Sequence, residues 1–269
     1  MKRGLIISTP DVAYGPLALL RGSFEDKACR AASLGCDGVE LMVRDPALLD
    51  WSSIKQTLID NHLEVAQIVT GELFGVDGLG LITSDDAVHR RAVSRTKAII
   101  DLAGFLGTMV NIGRLRGRLD WLAPAERTLA AATEKLREVI YYAREQGVRI
   151  VIEPVNRYEV DFIFTTADGL RLIDDLGADN LGLMLDVYHM NIEEPSIEEG
   201  LTAAGERLWH VHIADSNRRY PGSGHLPFDS IFATLRRMNY QGYVSAEILP
   251  EPDPDTAATK TMEFLTRYV

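Results

Sequence analysis

The chain has 269 residues, 46% of them hydrophobic, enough to bury one sizeable core, and α/β barrels of this length form single domains. Lys and Arg total 28 against 39 Asp and Glu, for a net charge of −11, which argues against nucleic acid as a partner because its phosphates demand a basic face. The first apolar run is too short for a signal peptide and is broken by Pro10, and there is no 18-residue apolar stretch, so the expectation is a cytoplasmic protein without a membrane partner.

Short β-rich runs are predicted in turn at 4–8, 38–43, 64–69, 109–113, 149–155, 181–187, 209–214 and 243–249. Helical periodicity follows each of them, over 24–35, 51–62, 87–107, 124–147, 166–177, 196–208, 228–242 and 256–269. Gly35, Gly107, Gly147, Gly177 and Gly242 are expected to end helices in the left-handed conformation. Strand runs that are apolar on both faces fit a buried parallel sheet. Strict alternation repeated eight times therefore predicts a single (β/α)8 TIM barrel over residues 1–269, with a doubly wound open sheet as the alternative. No G-x-G-x-x-G follows an early strand, which counts against a dinucleotide fold, and GSG at 222–224 reads as a turn. The two cysteines, Cys29 and Cys36, cannot build a disulfide framework or a Cys-rich zinc site and read as small buried thiols.

In such a barrel the chemistry sits at the carboxyl ends of the strands. The fifth strand carries Glu153 and leads to Asn156, Arg157 and Glu159; the sixth ends on Asp186, followed by His189. The seventh carries His210 and His212, followed by Asp215, Asn217 and Arg218, and the eighth carries Glu247. A lone carboxylate buried in a strand is costly unless compensated, and four neighbouring strands sharing that feature point to one cation. Glu153, Asp186, His212 and Glu247 offer three carboxylates and an imidazole, which suits one divalent ion, Mn²⁺ ahead of Mg²⁺ or Co²⁺. The competing reading is a salt-bridged interior in which arginines such as Arg149 or Arg218 pair with the carboxylates. One of His210 and His212 is expected to face the axis; Asp215 and Arg218 follow His212, so His212 is taken as the ligand and His210 as a packed neighbour or an outward residue. His62 and His89 read as surface residues of helices, and His225 as loop-borne.

The segments EPVNRYE (153–159), LDVYHMNIEE (185–194), HVHIADSNRRYPGSGHLPF (210–228) and SAEIL (245–249) resemble the sugar isomerase/epimerase barrels related to xylose isomerase, closest to the ketose 3-epimerases of the D-tagatose and D-psicose type. Intervals of 33, 26 and 35 positions between the candidate ligands are similar to that family's Glu, Asp, His, Glu metal set. The resemblance implies that Glu159, His189 and Arg218 contact the substrate, and that the enzyme is a homo-oligomer, a dimer or tetramer. In the first half, MVRDPALLDW (42–51) and IGRLRGR (112–118) resemble a branch associated with 5-keto-L-gluconate epimerase.

The chemistry follows from the residue types. A proton beside a ketone leaves to give an enediolate, which a chelated divalent ion stabilises. Epimerisation needs one proton-transfer group on each face of that planar species, and Glu153 and Glu247 are the expected catalytic pair. The same set would serve an aldose–ketose isomerase of the hydroxypyruvate or xylose isomerase kind, and a keto-inositol dehydratase begins with the same abstraction; both stand as alternatives. An apurinic endonuclease is disfavoured, because VRDP, TGELF and GRLRGR after the second, third and fourth strands contain no His. Arg44 after the second strand, and Arg114, Arg116 and Arg118 after the fourth, stand at the expected open end and favour a sugar acid, although Asp45 and Asp120 are available to pair with them. The loop LPEPDPDT, with Glu251, Asp253 and Asp255, should repel a phosphate dianion, so an unphosphorylated sugar derivative is the expected substrate.

Overall fold

The computed structural model describes residues 1–13, 15 and 17–269. Eight parallel strands, β1 Lys2–Ser8, β2 Gly38–Met42, β3 Glu64–Val69, β4 Val110–Ile112, β5 Ile150–Ile152, β6 Leu181–Asp186, β7 Leu208–Ile213 and β8 Tyr243–Ala246, pair in chain order. Lys2 to Leu5 of β1 then pair with Tyr243 to Ala246 of β8, so the sheet closes and the open-sheet alternative is excluded. All eight predicted runs form strands. The fifth and eighth are shorter than expected: Pro154 has no N–H to extend the β5 ladder, and the Leu249 N–H leaves the sheet to donate to the Arg218 carbonyl at 2.8 Å.

Ten α-helices are present among the described residues: α1 Phe24–Ser33, α2 Trp51–Asp60, α3 Gly71–Gly75, α4 Asp86–Leu106, α5 Leu129–Glu145, α6 Thr166–Leu176, α7 Val187–Glu193, α8 Ile197–Ala204, α9 Phe228–Arg237 and α10 Pro254–Leu265. Their starts are written locally. Ser23 and Asp26 form a capping box on α1, as Thr165 and Asp168 do on α6. The helix expected from residue 124 begins only at Leu129, where Thr128 accepts the Ala131 N–H at 3.2 Å. The short α3 and α7 were not expected. Gly35, Gly107, Gly147 and Gly177 have positive φ as predicted, but Gly242 does not. Asn239, with φ 53°, takes the left-handed place after α9, and Gly242 is needed for space, since a Cβ there would strike the Tyr240 ring.

Strand residues alternate between two surroundings. Leu5, Ile7, Val39, Leu41, Ile150, Ile152, Val211 and Ile213 pack outward in the large core beneath the helices. Their neighbours point to the axis, where Ile6, Met42 and Val69 form one small apolar cluster and Met109, Val151 and Met184 another. Inward positions are therefore where a polar side chain becomes buried inside the barrel. Cys36 is buried as expected, but Cys29, on the solvent side of α1, is exposed. No helix among the described residues is long and apolar enough to cross a membrane.

Candidate active site

The carboxyl ends of β5, β6 and β8 deliver three carboxylates to one place. Glu153 follows β5 directly and is backed by the Asn111 amide of β4 at 3.5 Å; a Cβ on Gly113 would collide with its carboxylate. Asp186 ends β6 and also caps α7, accepting the Tyr188 N–H at 2.9 Å. That cap puts His189 in the first turn of α7, with Nε2 3.6 Å from Glu153 Oε1 and 3.9 Å from Asp186 Oδ2. Glu247 stands one residue beyond β8. One ligand atom from each of Glu153, Asp186, His189 and Glu247 lies within 4.8 Å of the others. His212 approaches the same place from β7, its Nδ1 3.8 Å from Glu247 Oε2, buried and without a hydrogen-bond partner.

Arg218 completes the rim. Its φ of 61° is costly for a residue with a side chain. Asp215 holds the surrounding loop in shape by accepting the Ser216, Gly222 and Leu226 N–H groups at 2.8, 2.7 and 3.1 Å. The Arg218 guanidinium donates to both Asp186 and Glu247 and lies 4.5 Å from the Tyr188 ring centroid. It does not bond Glu153, and the electrostatics follow from that. Burial, reinforced by the Glu247 carboxylate, pushes the Glu153 carboxyl up to about 8. Glu247 is desolvated too, but Arg218 and then His212 hold it down to about 2. Burial also keeps His189 below the usual imidazole value, so it is neutral near pH 7.

Below this site lies a polar belt that strand-end reasoning in the second half missed. Glu40 of β2 is wholly buried, and its Oε1 accepts from His210 Nε2 at 2.8 Å. Its Oε2 accepts from His212 Nε2 at 2.9 Å and from Gln67 Nε2 at 2.7 Å. This corrects the expectation for His210. Residues two apart on a strand share a face, so both histidines point to the axis, and His210 is neither outward nor an alternative to His212. Glu40 was detectable by the signal used elsewhere, a carboxylate in an otherwise apolar run, GVELM. With Nε2 committed to an acceptor, His212 turns Nδ1 toward Glu247; burial opposes its protonation, but the Glu40 carboxylate raises its pKa well above the usual value.

The arginines separate in the structure. Arg44 is held by Asp77 in a two-pronged pair at 3.0 and 2.6 Å, and Arg118 by Asp120 at 3.0 Å. Arg116 is fully buried and donates to the carbonyls of Gly113, Glu153, Phe162 and Ile163 at 2.8–3.1 Å. It ties together the loops after β4 and β5 and is closed to a substrate, contrary to expectation. Arg116→Met should therefore cost about 3–5 kcal/mol by stranding buried carbonyls, read as a lower urea midpoint. A variant as stable as wild type but with a raised KM for a sugar acid would restore the substrate role. Arg114 alone of the four lines the cavity, with its guanidinium carbon 5.9 Å from the Phe74 ring centroid of α3.

That cavity, about 330 Å³, is lined by Asn111, Arg114, Glu153, Glu159, His189, Arg218 and Glu247, together with the apolar Leu17, Met42 and Val69. A larger hollow of about 560 Å³ sits at the opposite mouth of the barrel, among Lys2, Glu64, Arg149 and Trp209, away from the carboxylates. The donor set fits a divalent cation: the buried carboxylates of Glu153 and Asp186 and the half-buried one of Glu247, of which Arg218 pairs only two, and an imidazole nitrogen with no partner aimed beside them.

The Xylose isomerase-like TIM barrel family matches residues 29–268. The L-ribulose 3-epimerase of Methylomonas sp. (strain DH-1) is 31% identical over 234 residues, 86% of this chain and 80% of that protein. The hydroxypyruvate isomerase of Escherichia coli (strain K12) is 30% identical over 243 residues, 87% of this chain and 92% of that one. The crystal structure of a Methylomonas D-allulose 3-epimerase in complex with D-allulose is 26% identical and superposes with a TM-score of 0.81, covering 100% of this chain and 97% of that chain.

Proposed function

The chain belongs to the xylose isomerase-like TIM barrel family, and on that premise we propose that it is a divalent-metal-dependent epimerase of a keto-sugar or keto-aldonic acid. The observation that carries this reading is the convergence of Glu153 and Glu247, from the ends of β5 and β8, on one cavity also lined by His189 and Arg218, with Asp186 in the same cluster of ligand atoms. A divalent ion on Glu153, Asp186, His212 and Glu247, with Mn²⁺ ahead of Mg²⁺ or Co²⁺, would stabilise negative charge developing on two neighbouring substrate oxygens.

The side chains do the rest. One of Glu153 and Glu247 takes the proton from the carbon beside the ketone, and the other returns a proton from the opposite face of the planar enediolate. Neutral His189 and the guanidinium of Arg218 donate to the oxygen that gains charge, in a site where burial strengthens each hydrogen bond. Glu159 lines the rim and receives an N–H from Asn156 at 3.1 Å, which leaves its other oxygen for a substrate hydroxyl.

Arg114 sharpens the substrate class. Among the described residues it has no carboxylate within salt-bridge distance; Glu72 lines the same cavity, and there burial raises its carboxyl pKa while the Arg114 charge opposes the rise. A cavity wall with one uncommitted guanidinium suits a carboxylate, which favours a keto-aldonic acid such as 5-keto-L-gluconate or tagaturonate over a neutral ketohexose. A second reading, an aldose–ketose isomerase, is supported by the hydroxypyruvate isomerase relative and uses the same abstraction.

NMR in D₂O with Mg²⁺-loaded enzyme and a panel of keto-sugars and keto-aldonic acids separates these. Deuterium at one carbon with inversion is the epimerase outcome, an aldehyde signal the isomerase outcome, and loss of water a dehydratase. Arg114→Ala should lower kcat/KM for the acid about 10- to 100-fold and leave a neutral ketose almost unchanged. Equal use of acid and neutral sugar by the wild type would return the neutral ketose to first place.

A further inference from the structure

Two imidazoles reach the site, and the groups behind them decide which nitrogen of each carries its proton. Behind His212 stands a carboxylate, Glu40, at 2.9 Å from Nε2, which takes that proton to the far side of the ring. Behind His189 stands an amide. Asn156, almost fully buried in the loop after β5, lies with Nδ2 2.7 Å from His189 Nδ1.

The orientation of that amide is over-determined. Its Oδ1 faces the Tyr158 backbone N–H at 3.0 Å, which can only donate, so the oxygen must be on that side. Its nitrogen faces Glu159 Oε1 at 3.1 Å, where a carboxylate needs a donor. Rotating the amide by half a turn would set oxygen against oxygen at Glu159 and N–H against N–H at Tyr158. With one amide hydrogen on Glu159, the other points at His189 Nδ1, which must therefore present its lone pair. The His189 proton then sits on Nε2, the nitrogen 3.6 Å from Glu153 Oε1 and facing the cavity.

We propose that Asn156 is a positioning residue that locks His189 as a fixed Nε2–H donor to the substrate oxygen and keeps it out of the proton traffic. The ring has no second nitrogen to share: Nδ1 is covered by an N–H and Nε2 is already protonated. The two histidines thus face the site differently: His189 holds out a proton, and His212, whose Nε2 proton is fixed on Glu40, would turn an Nδ1 lone pair to a bound cation. The same amide joins His189 to Glu159, so the donor and the rim carboxylate are set as one unit. The catalytic consequence rests on the reading that His189 meets the substrate; the tautomer itself does not.

The test uses full-length protein with ¹⁵N-labelled histidine, loaded with Mg²⁺, and two variants. In the wild type, His189, assigned by its loss in His189→Gln, should show an unprotonated Nδ1 and a protonated Nε2. Asn156→Asp keeps the shape but replaces the donor with an acceptor, so the proton should move to Nδ1, and kcat should fall about 100-fold with KM changed far less. A wild-type ring protonated on Nδ1, an unchanged tautomer in Asn156→Asp, or an inverted tautomer with wild-type kcat would each overturn the proposal. A wild type that shows the expected tautomer yet turns over no member of the sugar panel would instead overturn the epimerase reading and leave the tautomer assignment standing.

Discussion

Glu153→Gln and Glu247→Gln are each expected to lower kcat by at least about 10³-fold at saturating Mn²⁺, the loss that follows when a positioned acid or base is replaced by a group that cannot carry the proton. The substitutions preserve shape. Each carboxylate leaves its strand at the carboxyl end and is held by its own neighbours, Glu153 by Asn111 and Glu247 by Arg218, so removing one charge does not dismantle the other's support. Two opposed bases predict an asymmetry that a single base does not. In one of the two variants the remaining carboxylate still removes and returns the proton on its own face, so solvent deuterium enters the substrate without inversion. NMR in D₂O reads exchange and inversion separately in one sample. Near-native epimerisation in both variants would end the two-base mechanism, and loss of activity cured entirely by more Mn²⁺ would reduce both residues to ligands.

Stripping the ion should abolish turnover and at the same time make stability depend on pH in a defined direction. In the metal-free fold Glu153 is raised from the ordinary 4.5 to about 8 by burial and by Glu247. A carboxyl raised in the folded state contributes stability that is fully present below about pH 4.5 and lost as pH rises toward 8, because folding then has to hold a buried charge. His212, raised by Glu40 against its own burial, adds a term of the same sign, present below its unfolded value of 6.5 and lost as pH climbs through its folded value. Glu247, depressed to about 2, changes nothing above 4.5, and His189 and His210, both lowered by burial, act only below 6.5. Between pH 7 and 8.5 the chelated protein should therefore lose about 1–2 kcal/mol, seen as a falling Tm in EDTA. Saturating Mn²⁺ should flatten that slope by supplying the positive charge Glu153 lacks, and should restore turnover. Identical slopes with and without the ion would mean that no cation binds at these carboxylates.

Local sequence was sufficient for much of this molecule. The alternation of β-rich and helical runs reports secondary structure because side-chain periodicity is a property of neighbours in the chain. Glu153, Asp186 and Glu247 stood out for the same reason, each being an acid in or just beyond an apolar run, and the structure brings all three into one cluster. Closure of the barrel depended on Lys2 meeting Tyr243 across almost the whole chain. The partner of His210 and His212 proved to be Glu40, 170 and 172 positions away, a distance over which no local pattern can report a contact. The arginines show the limit most clearly. Arg114 and Arg116 sit two residues apart in the same loop with the same chemistry, yet Arg114 opens on the cavity while Arg116 is sealed beneath it by four carbonyls. Which way each points is settled by the loop after β5 packing against the loop after β4, an event of folding that leaves no mark in the order of the residues.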